Sequence, residues 1–242
     1  MPSKLYTRAQ QQGSGDFAID WRRAVLHRAD GRAELQLPQC TVLPEQLLLT
    51  AGAGNEALMA ALGSQQPAMQ RRPLQQVILR HEYQPAFYGH CLGATASPRL
   101  TISSHRDREH RPVWYLGGDL ATGGGDNEPG QLIDRARTEL TSLLPWIDFG
   151  RRHWATVQLD RAEPRQSSTL RPDRAFVEKV AGVANALVAW PTKLTLTPDL
   201  ASQVQRQLEE QHITPKHPQP LAPLAGLTPP PVATSYWDRL LP

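Results

Sequence analysis

Residues 46–62 read QLLLTAGAGNEALMAAL, and the parsing of the whole chain turns on them. Leu47, Leu48 and Leu49 form a continuous apolar run of the kind found in strands buried on both faces. The five small residues that follow, Thr50-Ala51-Gly52-Ala53-Gly54, turn tightly because no large side chain obstructs the backbone. Ala57, Leu58, Ala61 and Leu62 then recur at helical spacing and would share one face. A helix beginning there leaves its first N–H groups over the glycines. Backbone donors beside a positive helix end suit a phosphate or a dinucleotide.

Working outward, residues 5–12 read as the end of a helix closed by Gly13, and residues 17–27 as a long or broken strand. Asp30-Gly31 is a hairpin signal, returning the chain through a second strand at 33–37 and a short third at 40–43. Beyond the small-residue turn, PLQQVILRH at 73–81 is an apolar strand, followed by irregular chain over 83–93 that carries Tyr83, Phe87 and Tyr88. Residues 99–103 and 113–117 pair as antiparallel strands across a charged loop, and residues 121–130 are a turn-rich connection. Leu132, Ala136, Leu140 and Leu143 mark an amphipathic helix over 131–144, which Pro145 stops. Strands follow at 152–159 and at 185–190, NALVAW, and a last helix at 198–212 with Thr197 as N-cap and Pro198 at its first position. Several antiparallel strands beside a few helices define a mixed α/β (α+β) body.

Composition narrows the function classes. The chain has 242 residues, 40% hydrophobic and 20% charged, enough to bury a full core as one large domain or two small ones. Its net charge is +3 and its arginines are scattered, which argues against a nucleic-acid groove. No apolar run approaches the roughly 18 residues that span a bilayer, and the first residues lack a charged-then-apolar leader, so no transmembrane segment and a cytoplasmic location are expected. Cys40 and Cys91 lie far apart and read as free thiols. His105 and His110 sit in a charged loop at a spacing poor for a metal, and no metal is expected. Prolines cluster over 215–231, marking an attached arm whose Tyr236, Trp237, Leu240 and Leu241 would dock onto the body or a partner.

Gly52-x-Gly54-x-x-Ala57 also fits the dinucleotide fingerprint, with Glu82 at the end of the next strand as a ribose ligand. That alternative is a self-contained NAD-binding Rossmann domain starting near Gln46, and it requires a parallel sheet. The meander that precedes the motif and the antiparallel pattern that follows speak against it.

Taken in order, the segments AQQQGSGDFAIDWRRAVLHRADGRAELQL, EQLLLTAGAGNEAL, PLQQVILRH, RLTISSHRD, PVWYLGGD, RARTELTSLLPWI, HWATVQLDRAEP and NALVAWPTKLTLTPDLASQVQRQL resemble the FAD-dependent oxidoreductases of the D-amino-acid oxidase, glycine oxidase and glycerol-3-phosphate dehydrogenase type. The resemblance covers residues 5–212 and corresponds to the later two-thirds of that family, without its N-terminal βαβ unit and Gly-x-Gly-x-x-Gly cradle. It implies FAD as cofactor and hydride transfer to the flavin from a carbon bearing an amine or hydroxyl, in an amino acid, amine or polyol phosphate. It further implies that residues 1–70 and 166–214 belong to an FAD-binding domain, residues 71–165 to a substrate domain built on an antiparallel sheet, and residues 215–242 to a C-terminal arm.

By the same resemblance Thr50, Ala51 and Gly52 touch FAD, and Pro191, Thr192 and Lys193 form the loop beside the flavin, with Lys193 near its pyrimidine edge. Arg161 follows the strand that delivers a substrate-clamping arginine, and Tyr83, Tyr88 and Trp114 are candidates to line a substrate pocket. The residues single out no catalytic acid–base pair. The missing cradle adds an alternative: a non-catalytic or partner-requiring subunit, with a second polypeptide supplying the first half of the FAD site.

Overall fold

The computed structural model describes residues 17–95, 97–122, 128–165, 174–190, 192–214, 222–224 and 226–241. The helix end expected over 5–12, its Gly13 closure and Pro191 lie outside the described residues. The chain divides into two units: Met1–Gln70 with Ala162–Val232, and Arg71–Arg161 with Ala233–Pro242.

In the first unit, β1 (Val25–Ala29) and β2 (Arg32–Gln36) form an antiparallel hairpin joined by β3 (Thr41–Val42). Asp30 and Gly31 at its tip have φ of 47° and 76°, the left-handed geometry that the Asp-Gly pair accommodates. The strand expected from residue 17 starts only at Val25. Asp20 accepts hydrogen bonds from the Arg22 backbone N–H and side chain, and its carbonyl accepts one from Arg23 N–H, so a local turn takes the place of a ladder.

A second sheet has the order β10 (Phe176–Lys179), β11 (Ala186–Trp190), β4 (Leu47–Leu49). All five residues of β11 are buried, as a continuous apolar strand requires. β4 departs from expectation: it is an edge strand, and Leu48 is exposed rather than covered on both faces. Its helix, α1 (Asn55–Ala61), also turns a different face inward. Ala57 and Ala61 are exposed, whereas Asn55 and Met59 are buried along with Leu62 just beyond. Of the face that periodicity favours, Leu58 and Leu62 do meet the core, while the wholly buried Asn55 and Met59 take the place of Ala57 and Ala61. Met59 and Leu62 pack with Leu26, Ala33, Val180, Val188 and Trp190 in this unit's core.

The second unit is built on a five-stranded sheet of order β6 (Tyr88–Cys91), β7 (Leu100–Arg106), β8 (Pro112–Gly117), β5 (Met69–Arg80), β9 (His153–Pro164). The β6–β7, β7–β8 and β8–β5 pairs are antiparallel. The NAD-binding Rossmann alternative is thereby excluded. The strand after α1 leaves β4 for a separate antiparallel sheet, and β4 pairs in parallel with β11, which lies almost 140 residues later. Glu82 follows β5 in that antiparallel sheet, so it has no ribose-ligand geometry.

Register sorts the sheet's two faces. Val77 pairs with Leu116 and Leu79 with Trp114, while Ile102 pairs with Leu116, so these residues share one side. They are covered by Leu132, Ala136 and Leu140 of α2 (Pro129–Leu143), each of the two leucines contributing about 1.5–3 kcal/mol by leaving water. The opposite side carries Ile78, Val113 and Tyr115, which pack with Tyr236 and Trp237 of a short terminal helix. The last two helices are α3 (Thr197–Glu210) and α4 (Tyr236–Leu240). Thr197 does not cap α3: it is the helix's first residue, and its hydroxyl donates to the Leu194 carbonyl. In α4, Trp237 stacks on His105 with centroids 4.3 Å apart and donates from Nε1 to the Arg106 carbonyl, while Asp238 accepts from Arg108 N–H. The end of the proline-rich arm therefore docks on the second unit's own sheet.

Candidate functional site

The small-residue turn leaves β4 at Leu49 and enters a 3-10 turn, Gly52–Gly54, that runs straight into α1. Gly52 has φ of 59°, and a Cβ placed on it would meet nothing within 4 Å, so the backbone there is left-handed and faces open space. Thr50 and Ala51 are exposed. Two buried side chains hold the bend. Asn55 accepts the Ala51 N–H at 2.7 Å and donates to the Ala189 carbonyl at 3.2 Å. Trp190, 1% exposed, donates from Nε1 to the Gly52 carbonyl at 3.1 Å. Parallel pairing of β4 with β11 places both carboxyl ends on one side, and each leads through a turn into a helix, the arrangement beside which α/β sheets take ligands.

Past β11, Thr192 has φ of 61° and its hydroxyl donates to the Arg174 carbonyl. Lys193 is exposed and extended, and Leu194–Leu196 makes the turn into α3. The structure thus ties the turn at residues 50–52 to the last residues of β11, immediately before Thr192 and Lys193. Among the described residues the peptide at the bend is therefore bare and held in place, with Thr50 and Ala51 exposed.

The substrate-side candidates are distributed over the second unit. Trp114, 1% exposed, lies on the side covered by α2, with the rings of His81, Phe149 and Tyr83 at 4.8, 5.1 and 6.1 Å. Tyr83 is half-buried in the same aromatic cluster. Tyr88 is exposed and donates its hydroxyl to the Ser104 carbonyl. Tyr88 and Trp114 border one cavity of about 200 Å3, with Ser104 and His105, whereas Tyr83 and Arg161 are absent from its lining. Arg161 is half-buried on β9. On the sheet side that carries α4, Ser103 Oγ lies 2.9 Å from His105 Nε2. Burial lowers the His105 pKa, and burial aided by Tyr236 pushes Tyr115 up to about 12.

Sequence reasoning missed the two buried asparagines. Asn185 is 2% exposed, accepts from Ala33 N–H at 2.6 Å and donates to the carbonyls of Ala33 and Pro44. Its only signal was a polar residue immediately before an apolar run. Asn55 stood in plain view after Gly54 but was passed over as a helix start. Among the described residues no group of three or more His, Cys, Asp or Glu side chains could hold a metal ion, and Cys40 and Cys91 are free thiols. Among them also, no helix is long and apolar enough to cross a membrane.

With its parallel β4–β11 pair and separate antiparallel sheet, the chain has the fold of the FAD-dependent oxidoreductases, as its match to a crystal structure shows. The particular relative is from Pseudomonas aeruginosa. The crystal structure of the FAD-dependent oxidoreductase PA4991 matches with a TM-score of 0.84 and 41% identity, over 98% of this chain and 64% of that one. In sequence, the same probable FAD-dependent oxidoreductase is 49% identical over 195 residues, 80% of this chain and 48% of the relative. The chain therefore spans about half the length of the curated relative it matches. Iminodiacetate oxidase from Chelativorans sp. BNC1 shares the fold at 17% identity with a TM-score of 0.55, over 92% of this chain and 56% of its own. No family model matches the sequence.

Proposed function

We propose that this chain forms the later part of the FAD site and the substrate sheet of an FAD-dependent oxidoreductase that acts on a C–N or C–O bond of a small amino acid, amine or polyol phosphate. The observation that carries the reading is the bare left-handed bend at Gly52, locked from behind by Asn55 and Trp190 and open in front. FAD, when bound, supplies the hydride acceptor. The chain's own contribution is positional and electrostatic. Residues 50–52 offer backbone with small side chains that do not hold the cofactor away, while Thr192 and Lys193, past the end of β11, border it. The Lys193 ammonium supplies positive charge on the flavin side. Arg161 clamps an anionic group of the substrate, and Tyr83, Tyr88 and Trp114 shape its apolar surroundings.

On this reading residues 1–70 and 166–214 serve the cofactor, residues 71–165 the substrate, and the 215–242 arm closes the sheet through α4. The Gly-x-Gly-x-x-Gly cradle that holds the FAD pyrophosphate is not encoded behind a strand in these 242 residues, so a further polypeptide segment supplies it. The support is the similarity to the Pseudomonas relative over the part that this chain spans.

The test is FAD titration of the chain alone and of the chain mixed with the N-terminal portion of that relative, read by flavin fluorescence and visible absorbance. Saturable binding in either arm that Gly52→Val weakens at least about tenfold supports the reading, since a branched side chain both strains a left-handed residue and fills the open space. Binding in the mixed arm alone favours the partner-requiring form. No spectral change in either arm, or one indifferent to Gly52→Val, overturns it.

A further inference from the structure

A cavity that the flavin reading does not use lies wholly within the second unit, between the last turns of α2 and the start of β9. Its origin is local. Pro145 cannot continue the helix, the Ile147 N–H closes a turn on the Leu144 carbonyl, and the chain rejoins the sheet only at His153. The volume left there is about 200 Å3. Its inner wall is Leu79, Leu140, Leu144, Ile147 and Phe149, each 9% exposed or less. An apolar cavity of about 150 Å3 walled by Leu, Ile and Phe is enough to take a benzene ring.

The rim has the opposite character. Arg137 and Arg152 line the cavity and are exposed, and among the described residues no carboxylate lines it. The Arg137 guanidinium lies over the Trp154 ring at 5.4 Å, and that of Arg152 over the Phe149 ring at 5.3 Å. Such stacking occupies the face of a guanidinium and leaves its in-plane N–H donors for an acceptor. Among the described residues Arg152 pairs with no carboxylate, and Arg137 meets only the exposed Asp134, at 3.5 Å. An exposed pair that long is worth little. The C-terminal end of α2 brings about half a negative charge nearby, which two full positive charges outweigh.

We propose that this cavity binds a small hydrophobic monocarboxylate whose apolar part is about the size of a benzene ring. The apolar part enters against Leu140, Leu144 and Ile147, where it leaves water. The carboxylate stays at the rim, where Arg152 donates to it and Arg137 adds a second cation. Each half supplies what the other lacks: the wall sets the size of the ligand, and the two guanidinium groups set its charge and which end faces out. An amine of the same size meets two like charges at the rim and is turned away. The site is built only from residues 79–154 and stands or falls without the flavin reading.

The test is an NMR titration of the side-chain methyl groups in the whole chain, with phenylacetate in one arm, hexanoate in a second and 2-phenylethylamine, of like size and opposite charge, as the control. The expected result is a saturable shift at Leu140, Leu144 and Ile147 with a carboxylate and none with the amine. Saturation by one carboxylate alone supports the proposal and says whether the apolar part is a ring or a chain. Arg152→Gln, at an exposed position, weakens binding about tenfold or more. Arg137→Gln weakens it by a smaller factor, and decides in its place if Arg152→Gln proves unfolded by circular dichroism. The proposal is overturned if neither carboxylate gives a saturable shift, if the amine shifts the same methyl groups as strongly, or if the folded arginine variant binds as tightly as the wild type.

Discussion

The two units are held together by different means. In the second, shape does the work: Val77, Leu79, Ile102, Trp114 and Leu116 meet α2 across one sheet face, and the aromatic cluster of His81, Tyr83, Trp114 and Phe149 fills its end. In the first, the sheets have three strands each among the described residues, and two buried amides add to an apolar core where strands must be pinned. Asn185 ties Ala33 and Pro44, and Asn55 ties Ala51 and Ala189. The contrast teaches that a bend made of small residues is shaped from behind, by side chains such as Asn55 and Trp190 that hydrogen-bond to the backbone itself.

The largest expected effect tests the packing half of this contrast. Trp114→Ala removes the hub of the second unit's core and lowers stability by about 4 kcal/mol, measured by urea unfolding. A loss below about 1 kcal/mol would show that the cluster is not what holds that unit.

Next comes acid. The unfolded His81 imidazole takes up a proton near pH 6.5, whereas in the folded chain burial holds it neutral down to about 4. The unfolded state therefore binds more protons between those values. Stability is full above pH 6.5 and falls by about 3 kcal/mol as pH drops toward 4. Unfolding free energies measured against pH in the wild type and in His81→Phe should diverge across this window and run parallel above it. Parallel curves throughout would mean that His81 titrates normally and is not buried as described.

The smallest effect sharpens the polar half. Asn185→Ala strands the Ala33 N–H and weakens the hold on the Ala33 and Pro44 carbonyls, costing about 2 kcal/mol. Hydrogen exchange should quicken at the hairpin of β1 and β2 while β7 and β8 keep their protection. Uniform quickening would erase the distinction between the units.

What the sequence disclosed and what it hid follow the same division. Asp30-Gly31 and the bend at Gly52 were legible because a left-handed residue is a local demand that only a few residue types meet. The α2 stripe and the β7–β8 pair were legible from periodicity, although β6 was read as irregular chain because Tyr-Gly-His-Cys does not alternate. β10 was missed: Phe-Val-Glu-Lys is a short edge strand whose identity comes from pairing with β11. Leu48 was wrongly expected inside, since an apolar run does not say whether the strand is central or at an edge. The strand expected over 113–117 puts Trp114 and Tyr115 on opposite faces, but only the position of α2 decides that Trp114 is the buried one. At the candidate site the small residues were visible and their supports were not, because Asn55 and Trp190 reach partners more than 130 residues away.

The β4–β11 pairing also has a consequence for biosynthesis. Among the described residues β4 is an edge strand with β11 as its neighbour, and the strands of the second unit are encoded between them. During translation the ribosome releases β5 to β9 before the partner of β4 exists, so the inserted antiparallel sheet can form while the Gly52 bend still waits for its anchor. Closing so long a loop is entropically slow to achieve, and the order of emergence makes the Gly52 bend among the last parts of the nascent chain to acquire its shape.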